Sequence, residues 1–205
     1  MVRVSFFLFL LTSVLVALVS FRFIPLGLEL SFPDMDLHIS ERQPAFLSHV
    51  IGASLALLFG VAQFLSRFRS KYPRIHRWTG RFYVVFVLVA GVAGLNLAFG
   101  AMGGPIAGWG FGTLSVLWVF ATMQGLRSAR MRKFGDHRRW MMRSFALTFA
   151  AVTLRLQLAG MIGIGQMTYA DASLILAWSC WVPNLIFVEW LIARKPLLLS
   201  AQAAE

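Results

Sequence analysis

With 59% of its 205 residues hydrophobic, 13% charged and a mean hydropathy of +0.74, the chain is too apolar for a soluble domain, which usually runs near half apolar and a quarter charged. Its 19 phenylalanines, 7 tryptophans and long aliphatic runs exclude disorder. A formal net charge of +11 on so apolar a chain points to an integral membrane protein with its charges confined to loops, and no nucleic-acid partner is expected, because that would need a soluble basic surface.

A spanning helix needs about 20 apolar residues to cross roughly 30 Å of hydrocarbon. Six stretches qualify, at about 4–23, 45–66, 80–100, 107–126, 140–164 and 172–193. The expected fold is therefore an all-α integral membrane protein, a single transmembrane domain over residues 1–205. The first stretch, with its short basic start, also fits a cleaved signal peptide; against that, it is long and no clear A-x-A-like site precedes Phe21. A basic stretch from Arg67 to Arg77 separates the second and third spans, and another from Arg127 to Arg143 separates the fourth and fifth. Lys and Arg accumulate on the cytoplasmic side, so both stretches and both termini are expected in the cytoplasm, in a bacterial inner membrane. The opposite loop carries Glu29, Asp34, Asp36 and Glu41, and Asp171 marks the last outer turn. Of the 19 basic residues only Arg22, Arg42 and Arg155 fall outside the inner segments. The single cysteine, Cys180, lies in the last span and reads as a small packing residue.

Offsetting the chain by 61 residues aligns spans two and three with spans four and five. Ser54 meets Ser115, Gln63 meets Gln124, Arg69 meets Arg130, His76 meets His137 and Arg77 meets Arg138. Matched residues on the same membrane side imply a parallel repeat about an axis along the membrane normal, with helices two to five forming a four-helix bundle of two repeated hairpins. Topology alone would explain the arginine matches but neither the glutamines nor the histidines. No span shows the Gly/Pro interruption that flags a broken helix at a binding site.

Helical spacing aligns His49, Ala53, Ala56, Gly60, Gln63 and Arg67 on the second span. It aligns His76, Gly80, Tyr83, Val87, Gly91 and Gly94 on the third, and His137, Ser144, Thr148, Ala151 and Arg155 on the fifth. Small residues there serve close helix packing. Arg155 is different: a charge at that depth costs about 2.5–3.5 kcal/mol on insertion scales, so it must face a partner or a cavity. Glu189, near the inner end of the last span, is placed to pair with Arg143 or the basic loops.

The stretches His76-Arg77-Trp78-Thr79-Gly80-Arg81 and His137-Arg138-Arg139-Trp140-Met141-Met142-Arg143-Ser144, with Thr153-Leu154-Arg155, His49, Gln63-Phe64, Asn184 and Glu189, resemble a bacterial family of predicted multi-pass membrane proteins filed as a domain of unknown function. The resemblance covers residues 37–191 and implies an inner-membrane location without an activity.

Three functions compete. The first is electron transfer with haem b: His76 and His137 would be axial ligands, Arg77, Arg138 and Arg143 would neutralise propionates, and Gly80, Gly91 and Gly94 would leave room for the macrocycle. In that reading His49 and Arg155, on the outer side, hold a quinone head group, and the partners are the lipid bilayer, quinone and a membrane redox protein. The second is a small transporter or channel lined by Arg155, His49, Gln63 and Glu189. The third is a non-catalytic assembly subunit whose basic loops hold anionic lipid. There is no H-x-x-x-H cluster, nucleophile elbow, Walker loop or CxxC to support hydrolysis, nucleotide or thiol chemistry.

Overall fold

The structure, a computed structural model, describes residues 2–65 and 70–202; Arg67 and Arg69 lie outside the described residues, as do the side chains of Arg3 and Lys195. Helix α1 (Val2–Val19) runs through a 3₁₀ turn (Ser20–Arg22) into two one-turn helices, Phe23–Leu26 and Leu28–Ser31. Gly27 separates these two at φ 79°, a conformation that a side chain would strain. Then follow α2 (Asp36–Ala62), α3 (Pro73–Ala98), α4 (Gly104–Arg130), α5 (Phe134–Thr148), α6 (Ala150–Gly163), α7 (Tyr169–Ser179) and α8 (Val182–Gln202). No strand occurs among the described residues.

Among the described residues, six helical segments are long and apolar enough to cross a membrane. They begin earlier than the apolar windows predict: α3 starts at Pro73 and α5 at Phe134, so both His-Arg steps sit in a first helical turn and not in a loop. Hydropathy marks only the part of a helix inside hydrocarbon, and basic first turns continue beyond it. Pro73 suits its place because the first turn has no intrahelical acceptor for its missing N–H.

The spans are also less continuous than expected. In α2 Arg42 is non-helical, two residues before Pro44, whose ring clashes with the preceding turn. The fifth span is irregular at Phe149, between α5 and α6, where the backbone nevertheless keeps helical angles (φ −67°, ψ −13°), and the sixth at Cys180–Trp181, just before Pro183. The side-chain Nδ2 of Asn184 stitches the two irregularities together, reaching Thr153 Oγ1 (2.8 Å), the Cys180 carbonyl (3.0 Å) and the Ala146 carbonyl (3.3 Å).

Helices α2, α3, α4 and α5 close a ring, each packed on the next, with α5 returning to α2. Helix α1 packs on α2 and α6, α7 on α4 and α6, and α8 on α5. Helices α3 and α5 start 61 residues apart, and the fourth residue of each bonds back in the same way, His76 N to Tyr72 O (3.0 Å) and His137 N to Lys133 O (2.9 Å), whereas α2 and α4 start 68 residues apart. Phe99, Ile106, Trp109, Val92 and Ile164 project outward, as expected of a protein whose solvent is lipid.

Candidate functional site

A cavity of about 380 Å³ occupies the end of the bundle that carries the acidic loop. Residues 61 apart line it from both hairpins: Val50 and Phe111, Ala53 and Leu114, Ser54 and Ser115, Leu57 and Trp118, Gly94 and Arg155, Leu97 and Leu158. Leu147, Thr148, Ala150 and Ala151, the residues flanking Phe149, line it too.

His49 and Arg155 both line the cavity. His49 Nδ1 donates to the Ala90 carbonyl at 2.9 Å. A carbonyl can only accept, so in the neutral ring Nε2 carries a lone pair. That nitrogen has no partner among the described residues. The ring lies in the notch left by Gly94, where a Cβ would meet His49 Nδ1 at 2.9 Å. The residues 61 positions on are Gly110 for His49 and Arg155 for Gly94, so the imidazole and the guanidinium come from different hairpins.

Arg155 sits on α6, where Nη1 donates to its own Ala151 carbonyl and Nη2 to Ser20 Oγ of α1, both at 2.9 Å. These bonds use two of five N–H donors. No carboxylate lies within 4 Å of the guanidinium among the described residues, although Asp34 and a second guanidinium, Arg22, line the same cavity. Arg22 is held by the carbonyls of Val19 (3.3 Å) and Ser31, and stacks on Phe32. Of the three basic residues outside the inner segments, two face one cavity.

At the other end, His76 and His137 hold matching positions, each half-buried, but neither lines the main cavity. His137 Nδ1 donates to the Gly125 carbonyl at 2.8 Å. Arg77 and Arg138 are exposed. Arg143 is committed elsewhere, bidentate to Glu189 at 2.6 and 2.9 Å and stacked on Trp140. Of the glycines expected to make space, Gly91 receives Val119, Gly94 receives His49 and Ser115, and Gly80 faces Gln63. Gln63 in turn donates to Thr79 Oγ1 at 2.7 Å, which ties α2 to α3.

Between the cavity and the basic end lies a hydroxyl cluster that the sequence reading did not assemble. Tyr83 Oη bonds Ser144 Oγ (2.6 Å) and Thr148 Oγ1 (2.8 Å), Thr122 Oγ1 bonds Ser144 Oγ (2.6 Å), and Trp118 Nε1 donates to Thr148 Oγ1 (2.9 Å). All five residues are buried. The signal was present: Tyr83, Ser144 and Thr148 stood on the inward stripes, and Tyr83 and Ser144 are repeat partners, 61 apart. Gly60 makes the room, since a Cβ there would lie 2.6–2.7 Å from the rings of Phe145 and Tyr83.

The model of the family described as Predicted membrane protein (DUF2306) matches residues 46–192. The chain belongs to this family. No curated protein and no solved structure matches the chain. This DUF2306 protein is thus a multi-pass membrane protein, with six long apolar helices among the described residues. The matched region holds His49, Arg155 and the hydroxyl cluster, whereas Ser20 and Arg22 precede it.

Proposed function

We propose that this protein binds a quinone head group in the cavity at its acidic end and through it takes part in electron transfer in a bacterial inner membrane, with the basic end facing the cytoplasm. The observation that carries the reading is the meeting of His49, with Nε2 unpartnered, and Arg155, with spare donors and no carboxylate, in one largely apolar cavity. A quinone supplies two-electron, two-proton chemistry. The protein's part is to recognise both redox forms: Arg155 N–H groups donate to a carbonyl oxygen, while His49 Nε2 accepts from a hydroxyl and takes its proton. The proton held on His49 is stabilised by the Ala90 carbonyl on the opposite nitrogen. The apolar lining accommodates a ring and the start of a hydrocarbon tail.

The filled notches at Gly91 and Gly94 and the commitment of Arg143 to Glu189 favour this reading over haem at His76 and His137. The buried layer of Tyr83, Thr122, Ser144 and Phe145 beneath the cavity favours it over a continuous transport path. The test is calorimetric titration of the detergent-solubilised protein with a short-chain quinone. Binding is expected, weakened about ten-fold or more by His49→Ala or Arg155→Leu. Equal binding by wild type and both variants would remove these residues from the site.

A further inference from the structure

The proposed function gives work to one guanidinium, yet two face the cavity. Arg155 on α6 and Arg22 in the 3₁₀ turn both line it. They are neighbours: Arg155 Nη2 donates to Ser20 Oγ at 2.9 Å, and Ser20 opens the three-residue turn that Arg22 closes. Their positive charges act on each other. Each is anchored by neutral groups, Arg155 by the Ala151 carbonyl and Ser20 Oγ, Arg22 by the carbonyls of Val19 and Ser31. Neither has a carboxylate within 4 Å among the described residues. Asp34 is the one acidic residue of the lining, and it is exposed, so solvent screens it. Two like charges held close together against apolar walls are costly unless a negative charge joins them.

The cavity beside Arg22 offers further unmatched groups. Ser31 and His38 are 1% and 7% exposed, and both line it. Neither Ser31 Oγ nor His38 Nδ1 has a hydrogen-bond partner among the described residues. A buried serine hydroxyl is normally paired, as Ser13 is with the Phe9 carbonyl at 2.7 Å. Arg22 holds the Ser31 carbonyl, so the bare hydroxyl and the guanidinium share one corner of the cavity. Each guanidinium keeps N–H donors to spare, and the hydroxyl can donate as well. That surplus of donors suits an oxyanion better than a neutral carbonyl oxygen, because hydrogen bonds to a charged acceptor are about twice as strong.

We infer that the ligand's head group is an oxyanion, an apolar ring whose oxygens carry a full negative charge beside Arg155 and Arg22, with Ser31 Oγ donating to it. The charge stands on these residues alone, while the ring's being a quinone rests on the reading above. Together they make the ligand a 2-hydroxyquinone, whose hydroxyl next to a carbonyl ionises at neutral pH and spreads its charge over the ring oxygens. Planar guanidinium forks match such oxygens well. Ser20, Arg22, Ser31 and His38 all precede the region matched by the family model, whereas His49 and Arg155 lie in it. The preference for charge is therefore set in part by the segment ahead of that region.

The experiment titrates the full-length protein, in non-ionic detergent at neutral pH, with three ring compounds. They are 2-hydroxy-1,4-naphthoquinone, its uncharged methyl ether, and 2-naphthoate, which has the charge without the quinone. Wild type should bind the hydroxyquinone about ten-fold or more tightly than the ether. Arg22→Gln should cut that preference about five-fold and Ser31→Ala about two- to three-fold, with ether binding at the wild-type level showing that the cavity is intact. Ser31→Ala strands no partner of the serine hydroxyl, so it decides alone if Arg22→Gln abolishes binding of every compound. Equal binding of hydroxyquinone and ether by wild type overturns the inference, as does a preference that neither substitution changes. The quinone reading then stands if His49→Ala and Arg155→Leu still weaken ether binding. Naphthoate bound as tightly as the hydroxyquinone, and weakened alike by Arg22→Gln, supports the oxyanion and overturns the quinone. No binding of any of the three by wild type overturns both.

Discussion

The interfaces α3–α4 and α2–α6 are related by the repeat, yet one is closed and the other open. In the closed one, Val119 of α4 fits the notch at Gly91 of α3, and Ser115 and His49 fit the notch at Gly94. The same places in the open interface hold Leu58 on α2 and, on α6, Val152 for Gly91 and Arg155 for Gly94. Two side chains stand there where α3 has two glycines, and these helices lie apart. The gap is occupied by the cavity and by α1, which packs on both α2 and α6 and offers Ser20 to Arg155.

The largest expected effect comes from filling the closed interface. Gly91→Leu would drive a side chain into Val119 and separate α3 from α4. Overpacking of this kind costs about 1–3 kcal/mol and occasionally more. We expect a clear fall in melting temperature in detergent and loss of quinone binding; a wild-type melting curve would show that the notch does not set the spacing.

Next is Tyr83→Phe, which keeps the ring against Gly60 and Phe145 but removes the oxygen that joins Ser144 to Thr148. Two buried hydroxyls then lose a partner, at about 1–3 kcal/mol in total, toward the lower end if they re-pair with backbone carbonyls as membrane hydrogen bonds often do. Thr148 already reaches the Ser144 carbonyl at 3.0 Å and Thr122 the Trp118 carbonyl at 2.8 Å, so re-pairing is available. Unfolding in sodium dodecyl sulfate measures it. A cost below about 0.3 kcal/mol would mean the cluster holds the bundle no better than apolar packing does.

The comparison also explains what could be read from the sequence. Six apolar lengths and the 61-residue repeat were legible because hydrocarbon thickness and duplication both leave periodic marks. Arg155 was legible because an arginine at that depth has no neutral explanation, and Glu189 with Arg143 because two charges near one end of the bundle must pair. The cavity was not legible, since it depends on which glycines are filled: Gly91 and Gly94 read as space for a cofactor but are occupied by Val119, His49 and Ser115. The irregularity at Phe149 was not legible, because no proline or glycine stands there and Asn184 reaches the nearby Ala146 carbonyl from another helix; the one at Cys180–Trp181 does carry a local mark, Pro183.

A smaller effect tests the open interface directly. Val152→Gly cuts into α6 the notch that α3 has at Gly91, letting Leu58 settle as Val119 does. The helices should approach and the cavity shrink, with quinone affinity falling about five-fold, or about 1 kcal/mol. Part of the stability change will be the glycine itself, about 1 kcal/mol in a helix, so affinity and not melting temperature is the deciding readout. Unchanged affinity would mean that α1, and not residue 152, props the interface open.

The smallest effect lies at the basic end, where the two hairpins differ for another reason. Arg143 of α5 has Glu189 of α8 as its partner, and its repeat equivalent is Phe82, facing outward on α3. The pair is bidentate, but the arginine side chain is 23% and the glutamate 47% exposed. Solvent screening therefore discounts it to about 0.5–1 kcal/mol despite the good geometry. Glu189→Gln keeps one acceptor for Arg143 and should cost no more than that, loosening α8 from α5 while leaving the far cavity and its quinone affinity alone. If affinity fell together with stability, the two ends of the bundle would be coupled through α5, and the buried layer of Tyr83, Ser144 and Thr148 between them would be the path to examine.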